Sequence, residues 1–312
     1  MELHQLQILR ELGALGSATA VADALRVTPS AVSQQLAALQ RGFPTPLTRR
    51  EGRTLVLTPA GAVLAAAGTE AIDAMAAARH ALDDFEAAAT GVVSVSGFHS
   101  VGQALFGPLL RELTAAGDAP TVQLTDEDVA QSEFPALTSR YDLVLAHRME
   151  HSDPWPADGV RSVTLVREPL DVAVAADHPL ASRSSVKPAD VAGERWVTSR
   201  VGYSPDDVLR AVSAVAGRPV DIHHRINDYG AVSAVVAAGG VLGMLPRFTS
   251  RSDDDRDIVR IPLRGVSTHR MIDVLARPEN LRRRSVRVVV EALRAVMTRL
   301  RDDADGGEHA DR

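Results

Sequence analysis

The sequence predicts a chain of three parts: an all-α head with a β-hairpin wing, a long helix, and a larger α/β body made of two lobes. Leucines at helical spacing and two helix caps define the head. An alanine-rich segment defines the long helix, and alternating strand and helix patterns define the body. We place the head at 1–58, the long helix at 59–90, the body at 91–300 and a disordered tail at 301–312. Within the body, we place lobe I at about 91–165 and 268–300 and lobe II at about 166–267.

The composition excludes several classes of protein. The 312 residues include no cysteine, which rules out disulfides, thiol chemistry and cysteine-bound zinc, and we expect neither a metal nor another cofactor. The N-terminal segment carries charges where a signal peptide has an apolar core, and no apolar run approaches the roughly 20 residues of a membrane span. We therefore expect a cytoplasmic protein without a membrane partner.

The charge is unevenly distributed along the chain. The formal net charge is −6, but residues 1–58 hold six arginines against four acids, a net charge of +2. Residues 59–91 hold one arginine against five acids, a net charge of −4. A mild basic excess in the head is compatible with binding to DNA but does not by itself indicate it.

Three short helices are predicted in the head. The first runs from about Leu3 to Ala14, and Ser17 is placed to cap the second. Thr28 is a good N-cap for the third helix, and Pro29 suits its first position. The second and third helices, joined by a tight turn, predict a helix-turn-helix.

The third helix carries short polar side chains on the face opposite its leucines. Ser30, Ser33 and Gln34 share this face, and hydroxyl and amide groups there suit base edges in the major groove of DNA. An ordinary surface helix with serine and glutamine in water is the alternative. Next, LTRREGRTLVLTPAG predicts a hairpin that turns at Glu51-Gly52, whose arginines suit phosphate contacts.

These segments resemble the winged helix-turn-helix of LysR-type transcriptional regulators. The resemblance covers residues 1–65 and rests on GSATAVADALRVTPSAVSQQLAALQ, Pro46-Leu47, RREGR and LTPAG. It implies sequence-specific DNA binding. Pro29 departs from the pattern, since many members have a base-reading glutamine there, and we expect that base contact to be absent. Gln40 and Thr48 replace a frequent glutamate and phenylalanine and concern packing. The DNA-binding residues we predict are Ser17, Thr28, Ser30, Ser33, Gln34, Arg49, Arg50 and Arg53.

The long helix carries a stripe with alternating spacings of three and four residues, which favours pairing with a second helix. We expect dimerisation through this helix, and the resemblance implies the same, with a dimer or tetramer on inverted-repeat promoter DNA. Packing of the helix on its own chain is the alternative. The stripe consists of Leu64, Ala67, Ala71, Met75, Ala78, Leu82 and Phe85.

The body alternates strands and helices, which predicts βαβ units around a parallel sheet. REPLDVAVAADHPLA and VVAAGGVLGMLP resemble segments of the LysR effector-binding domain, a two-lobed, periplasmic-binding-protein-like α/β fold. The resemblance implies a small-molecule effector between the lobes, and we expect an anionic or polar metabolite such as a carboxylate. The effector-binding residues we predict are Phe98, His99, Ser100, Thr125, His147, Arg148, Arg200, Tyr203 and Asn227.

Two other functions remain as alternatives. One is a cytosolic small-molecule-binding protein without effective DNA binding, and the other is a serine hydrolase that uses Ser100. The hydrolase is disfavoured because GFHSVG, from Gly97 to Gly102, does not match the G-x-S-x-G nucleophile turn, so we expect no enzymatic activity. His223 and His224, as neighbours on a strand, should face opposite sides and not share a metal.

Overall fold

A computed structural model describes residues 1–52, 54–85, 91–117, 119–157, 159–250 and 257–310, with side chains outside 79–85 and 305–310. The predicted wing residue Arg53 therefore lies outside the described residues. The same holds for the side chains of Leu82 and Phe85, which belong to the predicted dimerisation stripe.

The head consists of three helices and a two-stranded antiparallel hairpin. They are α1 (Leu3–Leu15), α2 (Ala18–Leu25), α3 (Pro29–Gln40), β1 (Thr48–Glu51) and β2 (Thr54–Leu57). Both predicted caps form: Ser17 Oγ accepts from Ala20 N, and Thr28 Oγ1 accepts from Ala31 N, each at 3.1 Å. Leucines and valines from all three helices form a core of their own, which includes Leu9, Leu12, Val21, Val32, Leu36 and Leu39.

A long helix, α4 (Pro59–Phe85), packs along α1. Gly61 is required here, since a Cβ on this residue would lie 2.0 Å from the carbonyl oxygen of Leu47. Contrary to our expectation, the segment Pro59–Ala78 is long and apolar enough to span a membrane by composition alone. Alanine accounts for this, and the contact with α1 is that of a helix packed on protein. The first stripe residue, Leu64, packs into the head core, whereas Ala67, Ala71, Met75 and Ala78 are exposed.

The body is a mixed sheet with helices on its faces. In chain order the elements are β3 (Val92–Gly97), α5 (His99–Ala116), β4 (Thr121–Asp126), a 3₁₀ turn (Gln131–Glu133), α6 (Phe134–Leu137), β5 (Leu143–Met149), β6 (Arg161–Ala175), α7 (Pro188–Val191), β7 (Arg195–Thr198), α8 (Ser204–Ala216), β8 (Asp221–Arg225), α9 (Tyr229–Ala237), β9 (Leu242–Pro246), β10 (Ile258–Ile261), β11 (His269–Ala276), α10 (Pro278–Arg282) and α11 (Arg284–Ala310). The sheet order is β4-β3-β5-β11-β6-β9-β7-β8, and β10 pairs with β6.

The sheet differs from the all-parallel sheet that the alternating pattern predicts, because two long strands run antiparallel to their neighbours. β6 and β11 pair antiparallel with each other, and β11 also pairs antiparallel with β5. The β3-β4 and β7-β8 pairs are parallel, as expected. Because β6 contributes Val166 to one core and Leu170 to the other, it joins the two lobes.

The C-terminal segment differs from the disordered tail that its polar composition predicts. α11 continues past Leu300 to Ala310, and Ala304 is buried against lobe I. Arginine, aspartate and alanine at 301–304 are compatible with a helix, and the preceding turns already supply the nucleus that makes extension favourable.

Candidate functional site

The exposed face of α3 carries the side chains predicted to read DNA. Ser30, Ser33 and Gln34 are all exposed, while Val32 and Leu36 on the opposite face are buried in the head core. The helix begins at a well-defined residue because Thr28 caps it and Pro29 fixes its first turn. The polar face is therefore held rigidly at the surface of the head.

The hairpin next to α3 presents arginines to solvent. Arg50 is exposed, and Arg49 is paired with Glu51 on the same strand. Gln40 sets the start of this hairpin, since its amide nitrogen donates to the carbonyl oxygens of Phe43 and Thr45 and its oxygen accepts from Leu47 N. Its role is thus hydrogen bonding, which our interpretation of the residue as a packing substitution missed.

The remaining predicted DNA contacts, Ser17 and Thr28, use their hydroxyl oxygens as helix caps. A capping oxygen accepts a backbone hydrogen bond, but its own hydrogen stays available to a phosphate. Both residues lie at helix N-termini, where the free N–H groups and the helix dipole favour an anion.

His99 connects the two lobes at the mouth of the cleft between them. It is the first residue of α5, and its Nδ1 lies 3.2 Å from Asp126 of lobe I. Its Nε2 lies 2.7 Å from Asp228 of lobe II, the residue that caps α9. Burial lowers the pKa of His99, but hydrogen bonds to the two carboxylates outweigh this effect and raise the pKa above its usual value of 6.5. A protonated His99 would hold both lobes together.

Asp128 forms a second connection between the lobes. Its carboxylate accepts from the side-chain nitrogen of Asn227 at 3.1 Å and lies 3.5 Å from the guanidinium of Arg200. The backbone carbonyl of Asp128 accepts from the hydroxyl of Tyr203 at 3.2 Å. The three predicted residues of lobe II therefore meet an aspartate of lobe I that the prediction did not include.

Arg270, a cation that the sequence analysis missed, lies at the base of the cleft. Its side chain is 1% exposed and donates to Glu168 at 2.9 Å and to Thr249 at 2.7 Å. It also lies 3.3 Å from Ser100 Oγ, and its guanidinium lies over the ring of Phe98. A single arginine in a strand pattern gives no signal of this kind, because only the tertiary fold brings its partners to it.

His147 is buried between aromatic rings under the cleft. Its ring contacts Phe98 at 4.7 Å and Phe134 at 5.3 Å between centroids, and its Nδ1 lies 3.1 Å from Ser204 Oγ of lobe II. Burial, with a smaller contribution from the charge of Arg270, lowers its pKa to about 3. His147 is therefore neutral at physiological pH.

Two predicted effector residues lie elsewhere. Arg148 points away from the cleft, because neighbours on a strand face opposite sides, and it binds Asp273 at 3.3 Å. Thr125 lies beside the Tyr141 hydroxyl, whereas the carboxylate of its neighbour Asp126 lies 3.2 Å from His99 Nδ1. Both errors arise because loop position alone does not fix the parity of a strand. Arg200 is not among the residues that line the cavity but lies 3.5 Å from Asp128. The cavity is lined by the other six of the nine predicted residues: Phe98, His99, Ser100, His147, Tyr203 and Asn227.

The cleft is closed in this structure. Its cavity has a volume of only about 20 Å³, roughly the space of one water molecule. A larger hollow of about 790 Å³ lies outside it, between α8 and the loop around Trp155, but it is a wide-open groove. Polar side chains from both lobes converge in the cleft, and at this volume it admits a small molecule only if the lobes separate.

Ser100 is not arranged as a nucleophile. It is 2% exposed, and its hydroxyl lies beside the permanently charged guanidinium of Arg270 instead of a general base. The ring of His147 bonds to Ser204. This geometry removes the physical basis of the hydrolase alternative.

His223 and His224 do not face opposite sides, contrary to our expectation. The pairing of β7 and β8 shifts register at this point, so that the two rings meet edge to face with 5.0 Å between centroids. A β-bulge interrupts the two-residue alternation of a strand and brings neighbouring side chains together. Both residues are exposed.

Comparison with known protein families covers nearly the whole chain. Residues 3–62 match the helix-turn-helix model of bacterial regulatory proteins of the lysR family, and residues 86–298 match the LysR substrate binding domain. The small neutral protease regulatory protein of Streptomyces coelicolor is 31% identical over 259 residues, which are 81% of this chain and 76% of that protein. OxyR, a DNA-binding transcriptional dual regulator of Escherichia coli, is 24% identical over 95% of this chain and 96% of its own length.

Solved structures show the same fold. A full-length OxyR variant from Pseudomonas aeruginosa superposes with a TM-score of 0.61 at 17% identity, covering 94% of this chain and 98% of the other. CbnR in complex with its target DNA gives a TM-score of 0.52 at 22% identity, covering 95% and 100%. The chain belongs to the lysR family of bacterial helix-turn-helix regulatory proteins, and it is a DNA-binding transcriptional regulator with an effector-binding domain, not an enzyme.

Proposed function

We propose that this regulator binds inverted-repeat promoter DNA in the cytoplasm as a homodimer or homotetramer, and that a small polar metabolite between its lobes controls that binding. The observation that carries the proposal is the pairing of two surfaces in one chain. One is the exposed polar face of α3 beside an arginine-bearing wing. The other is a cleft whose polar groups come from both lobes.

On DNA, α3 lies in the major groove and the wing approaches the backbone. Gln34 pairs with a base through its amide, Ser30 and Ser33 donate to or accept from base edges, and Arg50 neutralises a phosphate. Pro29 has no side-chain donor, so the base read by a glutamine at this position in other members is not read here. The half-site sequence therefore differs from that of such members.

The charges around the cleft narrow the class of effector. Asp128 and Asp228 at the mouth attract a donor or an ammonium group. Ser100 and the first turn of α5 suit an acceptor such as a carboxylate, and Arg270 is available to it in competition with Glu168. We therefore infer a metabolite that carries both an acidic and a hydrogen-bond-donating group.

Control of DNA binding requires the effector to prefer one closure state of the lobes. In the closed state, His99, Asp128 and Arg270 each form hydrogen bonds with neighbouring side chains, and an effector replaces some of these bonds. An effector shifts the equilibrium between open and closed lobes only through the difference between its affinities for the two states. A molecule that binds both states equally tightly therefore leaves DNA binding unchanged.

The experiment is footprinting on DNA flanking the gene of this regulator, repeated over 50–200 mM salt and with a panel of amino acids and their deaminated acids. We expect a protected inverted repeat, an affinity that falls by about 0.9 log unit per log salt for each phosphate contact, and a change in the footprint with an effector. Calorimetric binding of uncharged apolar compounds alone would contradict the effector class. Effector binding without any DNA footprint would instead favour the small-molecule-binding alternative.

A further inference from the structure

Four charged side chains meet between the head and lobe I. Arg10 and Glu11 come from α1, Arg277 follows β11, and Glu279 lies in α10. Arg277 Nη2 donates to Glu11 Oε2 at 2.7 Å, and Arg10 Nη2 donates to Glu279 Oε1 at 2.9 Å. Arg10 also bonds Glu11 at 3.1 Å. We call these four residues the ion quartet.

The ion quartet is buried. The side chains of Arg10, Glu11 and Arg277 are 6%, 2% and 5% exposed, and that of Glu279 is 17% exposed. Burial of a charge is costly unless a partner of opposite sign accompanies it, and here each pair that crosses the interface takes one residue from each side. The head therefore compensates the charges of Arg277 and Glu279 only while it lies in this position, whereas Arg10 and Glu11 also pair with each other within α1.

The hydrogen bonding within the ion quartet is also incomplete. Arg10 Nη1, Arg277 Nε and Glu279 Oε2 are buried without a hydrogen-bond partner among the described residues. A hollow of about 600 Å³ lies beside them, lined by α1, α4, β2 and lobe I. Because this hollow separates parts of the head from lobe I, the ion quartet is the buried polar contact that joins α1 to the lobe.

We propose that the ion quartet is a docking latch, and that the surface formed by the end of β11 and α10 binds the DNA-reading head of its own chain. The partner is α1, recognised through its adjacent arginine and glutamate. Opening of the latch frees the head to change its orientation relative to lobe I. The proposal goes beyond the proposed function, because it does not depend on which DNA or which effector binds.

A single introduced thiol tests docking without DNA or effector, since the chain has no cysteine of its own. Val160 is 6% exposed, lines the hollow, and follows Gly159, whose carbonyl accepts from Arg277. In a Val160→Cys background of the full-length protein, the rate of alkylation reports how often the head leaves the lobe. We expect Arg277→Gln or Glu11→Gln to raise this rate at least about tenfold.

The controls separate undocking from unfolding. Arg282→Gln breaks the exposed pair between Arg282 of α10 and Asp73 of α4, and it should change the rate no more than about threefold. Glu279→Gln changes a residue of the lobe and leaves the head intact. If this variant is alkylated faster while its unfolding midpoint is unchanged, unfolding of the head is excluded as the cause. Glu11 and Arg277 bond to each other, so their effects should not be independent. The double variant Glu11→Gln, Arg277→Gln should therefore raise the alkylation rate by a smaller factor than the product of the two single-variant factors.

Equal alkylation rates in the parent, Arg277→Gln and Glu279→Gln would overturn the latch, as would strictly multiplicative effects in the double variant. Neither outcome would contradict the proposed DNA recognition, because the alkylation experiment contains no DNA. A failure of the footprinting experiment, conversely, leaves the alkylation result unchanged.

Discussion

The proposed DNA recognition assigns separable roles to a few side chains. Gln34 and Ser33 carry an amide and a hydroxyl on an exposed helical face, whereas Arg50 is an exposed charge on the wing. Hydrogen bonds to base edges discriminate between sequences, and contacts to phosphates do not. The two kinds of residue should therefore give different signatures when they are removed.

Gln34→Ala is expected to cost about 1–3 kcal/mol on the preferred site and little on other sequences, so that discrimination falls. Arg50→Ala should weaken binding to all sequences and reduce the slope of log affinity against log salt by about one unit. Fluorescence anisotropy on matched and scrambled duplexes measures both effects. Equal losses on every duplex from Gln34→Ala would contradict the base-reading role.

His147 makes the body sensitive to acid. Its pKa is lowered to about 3 in the folded protein, against 6.5 in the unfolded chain, so its contribution to stability is complete above pH 6.5 and is lost as pH falls toward 3. His99 has the opposite shift, and its contribution no longer changes below pH 6.5. As pH falls from 6 to 4, His147 should lower the free energy of unfolding by up to about 1.4 kcal/mol per pH unit, and His147→Asn should abolish this contribution.

Denaturant unfolding at a series of pH values tests this prediction. The exposed His151→Asn serves as the matched control and should leave the parent curve unchanged. A His147→Asn protein with the same acid dependence as the parent would show that the imidazole is not held neutral in the folded state.

At the scale of elements, sequence reasoning succeeded where the determinants are local. Ser17, Thr28 and Pro29 mark helix starts through interactions within four residues, and the Glu51-Gly52 turn marks the hairpin in the same way. Arg148 was misplaced because its neighbour His147 faces the cleft, and strand parity is fixed by pairing with β11. Such pairing joins residues more than 100 positions apart, and a single sequence does not reveal it.

Helix α4 leaves a row of small and apolar side chains in solvent, among them Met75, which is 45% exposed. A second α4 would bury this row, so Met75→Glu should weaken self-association at least about tenfold by placing a carboxylate in the helix pair. Sedimentation equilibrium measures the effect. Val215→Glu, at a 61% exposed position on α8, is the control, and equal dissociation constants for both variants would contradict pairing through α4.

In the whole molecule, strand β11 extends from the cleft to the ion quartet that contacts the head. β11 carries Arg270 near one end, and Arg277 follows its other end. β11 is a central strand paired on both sides, so its two ends move together more readily than two loops would. The three-part architecture was predictable from the sequence because each part has its own pattern. Arg270 and the ion quartet were not, because their partners come from distant segments.

We propose that the exposed face of α3 gives this regulator sequence-specific binding to an inverted repeat. In vitro selection from randomised duplex DNA with the full-length protein tests it most directly. We predict enrichment of one inverted repeat, and loss of that enrichment in the Ser33→Ala, Gln34→Ala double variant while binding to bulk DNA persists. Recovery of no preferred sequence by the parent protein, or the same sequence by the double variant, would contradict the account.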